Sequence, residues 1–209
     1  MQYLQQEQEE ALKRRDLSAL TNIINSGFDV NLLVIPKNTD VLLAAINKEN
    51  KTVFNSVLER GFKCKNNHGF LYLHHAIRTN DIFFVKRIIE KYKIEGINFN
   101  EYSSSKDNCL HIAAGELNMS DEIISYLSEQ GIKWTEQNVE GQTPLHIILK
   151  TKEEISFNIL KILEVQKHIF NIKDSNSMSA LDLIKLFSFS GEWRQNNNDL
   201  LAWIEKEFQ

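Results

Sequence analysis

Residues that interrupt regular structure are scarce in this sequence. Two prolines and eight glycines in 209 residues leave long stretches free to be helical, and each glycine then marks a place where the backbone needs its latitude. Two cysteines, Cys64 and Cys109, stand 45 positions apart, which excludes a disulfide framework and a CxxC zinc pair and fits a reducing compartment. No apolar run approaches the roughly 20 residues of a membrane span. The first ten residues, MQYLQQEQEE, have neither a basic n-region nor an apolar h-region. A cytoplasmic location is expected, with delivery into a host cell without a cleaved signal peptide as the alternative.

Catalytic signatures are missing as well. There is no glycine-rich phosphate loop, no serine nucleophile elbow and no His-Glu-x-x-His,. At 42% hydrophobic and 25% charged residues, the chain is an ordinary folded one rather than a disordered one,. A net charge of −4 excludes the overall basic field that drives nucleic-acid binding,. The charge is uneven, +2 over residues 1–104 and −6 over 105–209. Residues 60–93 hold eight basic side chains against Asp81 and Glu90, either a solvated face or a dock for an acidic partner.

What is present is a period. Gly27, Gly61, Gly96 and Gly131 are spaced by 34, 35 and 35 residues. Each precedes an apolar–polar–apolar phrase, as in Phe28-Asp-Val-Asn31 and Ile132-Lys-Trp-Thr135. Before each glycine, apolar residues recur at spacings of three and four (Val85, Ile88, Ile89; Ile123, Ile124, Leu127), which predicts an amphipathic helix ending at a left-handed residue. Upstream of these lie shorter alanine-bearing phrases, Leu42-Leu-Ala-Ala45, Leu73-His-His-Ala76 and Leu110-His-Ile-Ala-Ala114. Each unit therefore reads as helix, turn, helix, glycine stop and extended tail.

At Glu140-Gly-Gln-Thr-Pro-Leu-His146 the sequence strongly resembles the ankyrin-repeat family, with weaker copies in phase at Thr39–Ala45, Leu71–Ala76, Asn108–Ala114 and Ser179–Leu183. Thr143 can cap the helix and Pro144 suits its first turn. The resemblance implies an all-α fold, a solenoid of about five to six helix-turn-helix repeats in a single domain. The approximate repeats are 4–37, 38–68, 69–104, 105–138, 139–174 and 175–192, with a capping helix at each end. Residues 193–209 are read as the C-terminal cap, a polar stretch followed by an amphipathic helix on Leu200, Leu201, Trp203, Ile204 and Phe208. Extra residues near Asn47–Thr52, Lys91–Glu95 and Gly115–Ser120 are expected in loops, and the fifth repeat lacks its glycine, with Lys167 in that place.

By the same resemblance, a partner protein docks on hairpin tips and on the exposed residues after each first helix. The positions are Ile35, Asn38, Ile46, Asn67, His68, Phe70, Arg78, Asp107, Glu116, Val139, Gln142 and Lys150, with Ile35, Ile46, Phe70, Val139 and Met178 as apolar anchors. His74, His111 and His146 are expected to bond loop backbone. Cys64, His68 and His75 have side chains that suit zinc, though their placement makes a metal improbable. Cys109 and His111 are two apart and do not face one another on a helix. The expectation is a non-enzymatic protein-interaction module, without cofactor and monomeric when free. With its abundant Lys, Asn and Ile and its divergent repeats, it is similar to stand-alone ankyrin proteins of intracellular bacteria that act as effectors on host proteins. The alternatives are an immunity or inhibitor protein that blocks one toxin or enzyme, and a metal-dependent protein using the Cys64 group.

Overall fold

The computed structural model describes residues 17–208 except 28, 31–33, 36–38, 65–71 and 101. Among these residues the protein is all-α, with twelve helices and one two-residue ladder. In chain order they are α1 (Leu17–Asn25), β1 (Val34–Ile35), β2 (Thr39–Asp40), α2 (Val41–Asn47), α3 (Lys51–Glu59), α4 (Tyr72–Arg78) and α5 (Ile82–Glu95). Then follow α6 (Cys109–Gly115), α7 (Asp121–Glu129), α8 (Pro144–Thr151), α9 (Phe157–Glu164), a 3-10 turn (Lys167–Asn171), α10 (Ala180–Phe187), α11 (Gly191–Asn196) and α12 (Asn198–Glu207). Among the described residues, no helix is long and apolar enough to cross a membrane. The chain forms two compact units, Met1–Phe99 and Asn100–Gln209.

In the first unit, β1 and β2 pair Val34 with Asp40 and Ile35 with Thr39. Helix α2 packs against both α3 and α4, α1 against α3, and α5 against α4. The Phe54 and Phe84 rings meet edge to face at 4.9 Å, an arrangement the ring quadrupoles favour. Asp81 caps α5 by accepting from the Phe83 N–H at 2.9 Å, and its other oxygen pairs with Lys51 at 2.6 Å. Burial raises the Asp81 carboxyl, but Lys51 and the Phe83 N–H outweigh it and hold the group below its usual value. The helix closes on Gly96 at φ +63°, ψ +34°, and the Ile97 N–H reaches back to the Tyr92 carbonyl at 2.8 Å, a bond that this left-handed turn makes available. The extra residues Lys91–Glu95 are not a loop. They lengthen α5 to 14 residues, because Lys91 and Glu95, one turn apart and mostly shielded from water, pair at 3.0 Å,.

In the second unit, α6, α8 and α10 form one row, and α7 and α9 a second row against it. The helix starts are polar and local: side chains of Asn108, Ser120, Ser156 and Ser179 each accept a backbone N–H of the first turn, satisfying donors that have no helical partner. Trp134 is fully buried, and its indole N–H donates to Ser128 Oγ at 3.0 Å. Lacking a glycine after α9, the chain stays right-handed at Val165 and turns through the 3-10 segment, which buries Ile169 and Phe170.

The C-terminal stretch also differs from the expected single helix. The polar residues Trp193–Asn196 are helical, and a second helix starts after Asn197. Asn197 is 2% exposed and acts as a clamp. Its Oδ1 accepts from the Ile155 N–H at 2.8 Å, and its Nδ2 donates to the carbonyls of Glu153 (2.8 Å) and Trp193 (2.9 Å). One amide thereby satisfies three backbone groups, two of them more than 40 residues away.

Candidate binding surface

Three five-residue hairpins of the second unit, 103–107, 138–142 and 174–178, are wired alike. In each, the first residue's N–H donates to the carbonyl of the fifth: Ser103 to Asp107 at 2.9 Å, Asn138 to Gln142 at 3.0 Å, Asp174 to Met178 at 2.8 Å. In each, the first side chain accepts the N–H groups of the third and fifth residues. The acceptors are Ser103 Oγ (3.2 and 3.1 Å), Asn138 Oδ1 (3.0 and 3.0 Å) and Asp174 Oδ1 (2.9 and 3.0 Å). The fourth residue is left-handed in all three, Lys106 at φ 59°, Gly141 at 69° and Ser177 at 62°. Ser, Asn and Asp suit this place because their short side chains fold back on the following backbone.

Neighbouring hairpins are joined in the same sense. Val139 N–H donates to Ser105 O at 2.9 Å, and Ser175 N–H to Glu140 O at 3.0 Å. Asn138 Nδ2 adds a bond to Asp107 Oδ1 at 3.0 Å. From the row of helices behind, His111 Nε2 donates to Gln142 O at 2.9 Å and His146 Nε2 to Met178 O at 3.0 Å. A carbonyl only accepts, so both imidazoles carry the Nε2 proton. Their Nδ1 atoms accept from the N–H of Asn108 and of Thr143, each at 3.2 Å. Burial pushes both histidines below their ordinary 6.5, more than the neighbouring acceptors raise them. At the third equivalent position stands Asp182, whose carboxylate accepts from the N–H (3.0 Å) and hydroxyl (2.7 Å) of Ser179. It closes the local cap but, unlike histidine, has no second ring nitrogen with which to reach onward.

The face this wiring presents is polar with one apolar point. Ser104, Ser175 and Asn176 are exposed, and Val139 is 58% exposed. Lys150 lies 3.6 Å from Asp174, whose carboxylate is almost wholly shielded. Burial raises the Asp174 carboxyl, but the N–H groups of Met178 and Asn176 together with Lys150 outweigh it and hold it below the usual range.

Of the residues expected to bind a partner, this face brings together Asp107, Val139, Gln142 and Lys150. Glu116, at the C-terminus of α6, is half-buried, and Arg78, at the end of α4, is exposed. Ile46 is a correction. It is fully buried, on a helix that packs against both α3 and α4, so it offers nothing to a partner. Ile35 lies in β1, with its side chain outside the described residues, as are Asn38, Asn67, His68 and Phe70 altogether. The hairpin organisers Ser103, Asn138 and Asp174 escaped the sequence reading, although their spacing of 35 and 36 residues keeps the same period.

Cys109 is wholly buried, and burial pushes its thiol up to about 12, far from the thiolate that attack would need. Among the described residues, no group of three or more His, Cys, Asp or Glu is placed to hold a metal ion. No family model matches the chain, and neither does any curated protein.

Proposed function

We propose that this chain is an ankyrin-repeat protein whose work is to bind another protein, without catalysing a reaction. The hairpin face of residues 103–107, 138–142 and 174–178 is its docking surface. The observation that carries this reading is the shared wiring of the three hairpins. Each tip is fixed by its own side chain, by the neighbouring hairpin and, for the second and third, by a histidine from behind. A surface ordered before contact loses little conformational entropy on binding. Such a surface is costly to build unless its shape is used. Val139, apolar and exposed at the tip of the middle hairpin, is the natural anchor, with polar neighbours forming the rim.

The test is affinity capture with mass spectrometry using wild type, Val139→Glu and Val165→Glu. Val165 is 82% exposed but caps the C-terminus of α9, outside the three hairpin segments. A partner retained by wild type and Val165→Glu and lost from Val139→Glu, with helical circular dichroism intact in all three, is the expected pattern. Equal retention by all three refutes the hairpin face as the site.

A further inference from the structure

The three hairpins are wired alike but are not held alike, and the groups that hold the third, 174–178, can titrate. Its organiser is a carboxylate. Asp174 Oδ1 accepts the N–H groups of Asn176 and Met178 at 2.9 and 3.0 Å, and Lys150 stands 3.6 Å from its other oxygen. His146 fastens it from behind, Nε2 donating to Met178 O at 3.0 Å. The middle hairpin, 138–142, is organised instead by the Asn138 amide, which does not titrate. It is also joined to a neighbouring hairpin on each side, through Val139 N–H to Ser105 O and through Ser175 N–H to Glu140 O. Among the described residues, the third hairpin is joined to another on one side only.

A second proton on His146 must go to Nδ1, since Nε2 already donates. There it meets the Thr143 N–H at 3.2 Å, a donor that cannot turn away, and the Thr143 hydroxyl at 2.7 Å, which must rotate before it accepts. The charges facing the ring are Asp174 and Lys150, which oppose one another. Of the helices packed against α8, α6 carries His111 and the Cys109 thiol, and α10 carries Asp182, bound to Ser179, and the exposed Lys185. His111 is placed differently. Asn108 Oδ1 stands 2.8 Å from its Nδ1, and the charges facing it, Asp107 and Glu136, are both negative. His146 and Thr143 are wholly buried, so an imidazolium at 146 reaches water only if something moves, and a buried ion without a partner is costly. A surface hairpin bonded on one side opens more readily than packed helices do.

We infer that hairpin 174–178 is an acid-operated latch: a proton on His146 releases it, while hairpin 138–142 and the helices stay closed. Opening hydrates the imidazolium and withdraws one of the three hairpins from the docking face. That consequence for docking rests on the function proposed above; the opening itself does not. Because the closed form disfavours the second proton and the open form accepts it, the latch is shut above about pH 6.5 and loosens as pH falls below that.

The experiment is amide hydrogen exchange in the full chain, labelled with nitrogen-15 and free of any partner, at pH 7, 6 and 5 and corrected for the intrinsic rate. Protection of the Ser177 and Met178 N–H groups, both bonded to Asp174, is expected to fall about threefold or more from pH 7 to pH 5. Protection of Gly141 and Gln142 in the middle hairpin, and of Leu127 in α7, should hold. His146→Gln, neutral throughout and still able to donate toward Met178 O, should abolish the fall. Asp174→Asn, which keeps the acceptor oxygen, should retain it. Should His146→Gln lose its helical circular dichroism, the imidazole titration of His146 in the wild type takes its place, and its midpoint must coincide with the loss of protection. Equal loss at every amide followed, no loss at Ser177 and Met178, a fall that persists in His146→Gln, or separate midpoints overturns the inference. None of these outcomes involves partner capture, so the latch and the docking face are refuted separately.

Discussion

Gly141→Ala should destabilise the protein clearly more than Gly131→Ala, although both glycines are left-handed. Gly131 sits at φ +84° with open space where a Cβ would stand, whereas at Gly141, φ +69°, a Cβ would lie 2.7 Å from Ser175 N and 3.1 Å from Asp174 C. For an L-residue the left-handed conformation alone costs about 1–2 kcal/mol, and that is the whole expected effect at position 131. At position 141 the neighbouring backbone must also retreat, which breaks the bond from Ser175 N–H to Glu140 O; a buried or constrained backbone bond contributes about 1 kcal/mol. The total is then roughly 2–3 kcal/mol. For a chain of this size the extra, about 1 kcal/mol, lowers Tm by about 2–4 °C. Urea denaturation followed by circular dichroism measures both variants. Asn tolerates the left-handed region better than other residues, so Gly131→Asn should recover most of the loss. Gly141→Asn should not, since its Cβ meets the same atoms. Equal losses at the two positions, or full recovery by Gly141→Asn, would refute the claim that adjacent hairpins are in backbone contact.

Two further outcomes follow from the same wiring. Because burial holds His111 and His146 below 6.5, the unfolded chain takes up protons at a pH where the folded one does not. Their contribution is complete above about 6.5 and is lost as pH falls through the folded values. His146 should carry the sharper dependence, since its Nδ1 faces the Thr143 hydroxyl at 2.7 Å, whereas a proton on His111 Nδ1 finds Asn108 Oδ1 at 2.8 Å. Urea midpoints between pH 7 and 5 in wild type and His146→Gln check this; parallel pH curves would sink it. Asn197→Ala should cost about 2–4 kcal/mol, since it strips the side-chain partner from the buried Ile155 N–H and from the Glu153 carbonyl,, while the Trp193 carbonyl keeps the backbone N–H of residue 197. Asn197→Asp should recover only the bond to Ile155 N–H, so a neutral effect of either variant in chemical denaturation would show the clamp to be dispensable.

The local devices were legible in the chain. Glycine spacing announced the helix ends, and the left-handed φ at Gly27, Gly61, Gly96 and Gly131 follows from the same local rule. The Leu-His phrases announced histidines that bond loop backbone, and His111 and His146 do so. Where local pattern met a choice between loop and helix it was less informative. Lys91–Glu95 and Trp193–Asn196 read as irregular because their polarity hides the pairing and packing that make them helical. At Ile46 the pattern marked a position after Ala44-Ala45 but could not say which way it faces.

What the sequence by itself determined is therefore whatever depends on residues within about one helical turn of each other: caps, glycine stops, the apolar stripe and the absence of breakers. Such interactions are fixed by chain geometry and need no distant partner. Only the tertiary structure decided the rest. It made Ser103, Asn138 and Asp174 the organisers of equivalent hairpins, and it let Asn197 clamp backbone 42 and 44 positions away. Each of these depends on which segments meet in space, a choice made by burying apolar area from distant parts of the chain.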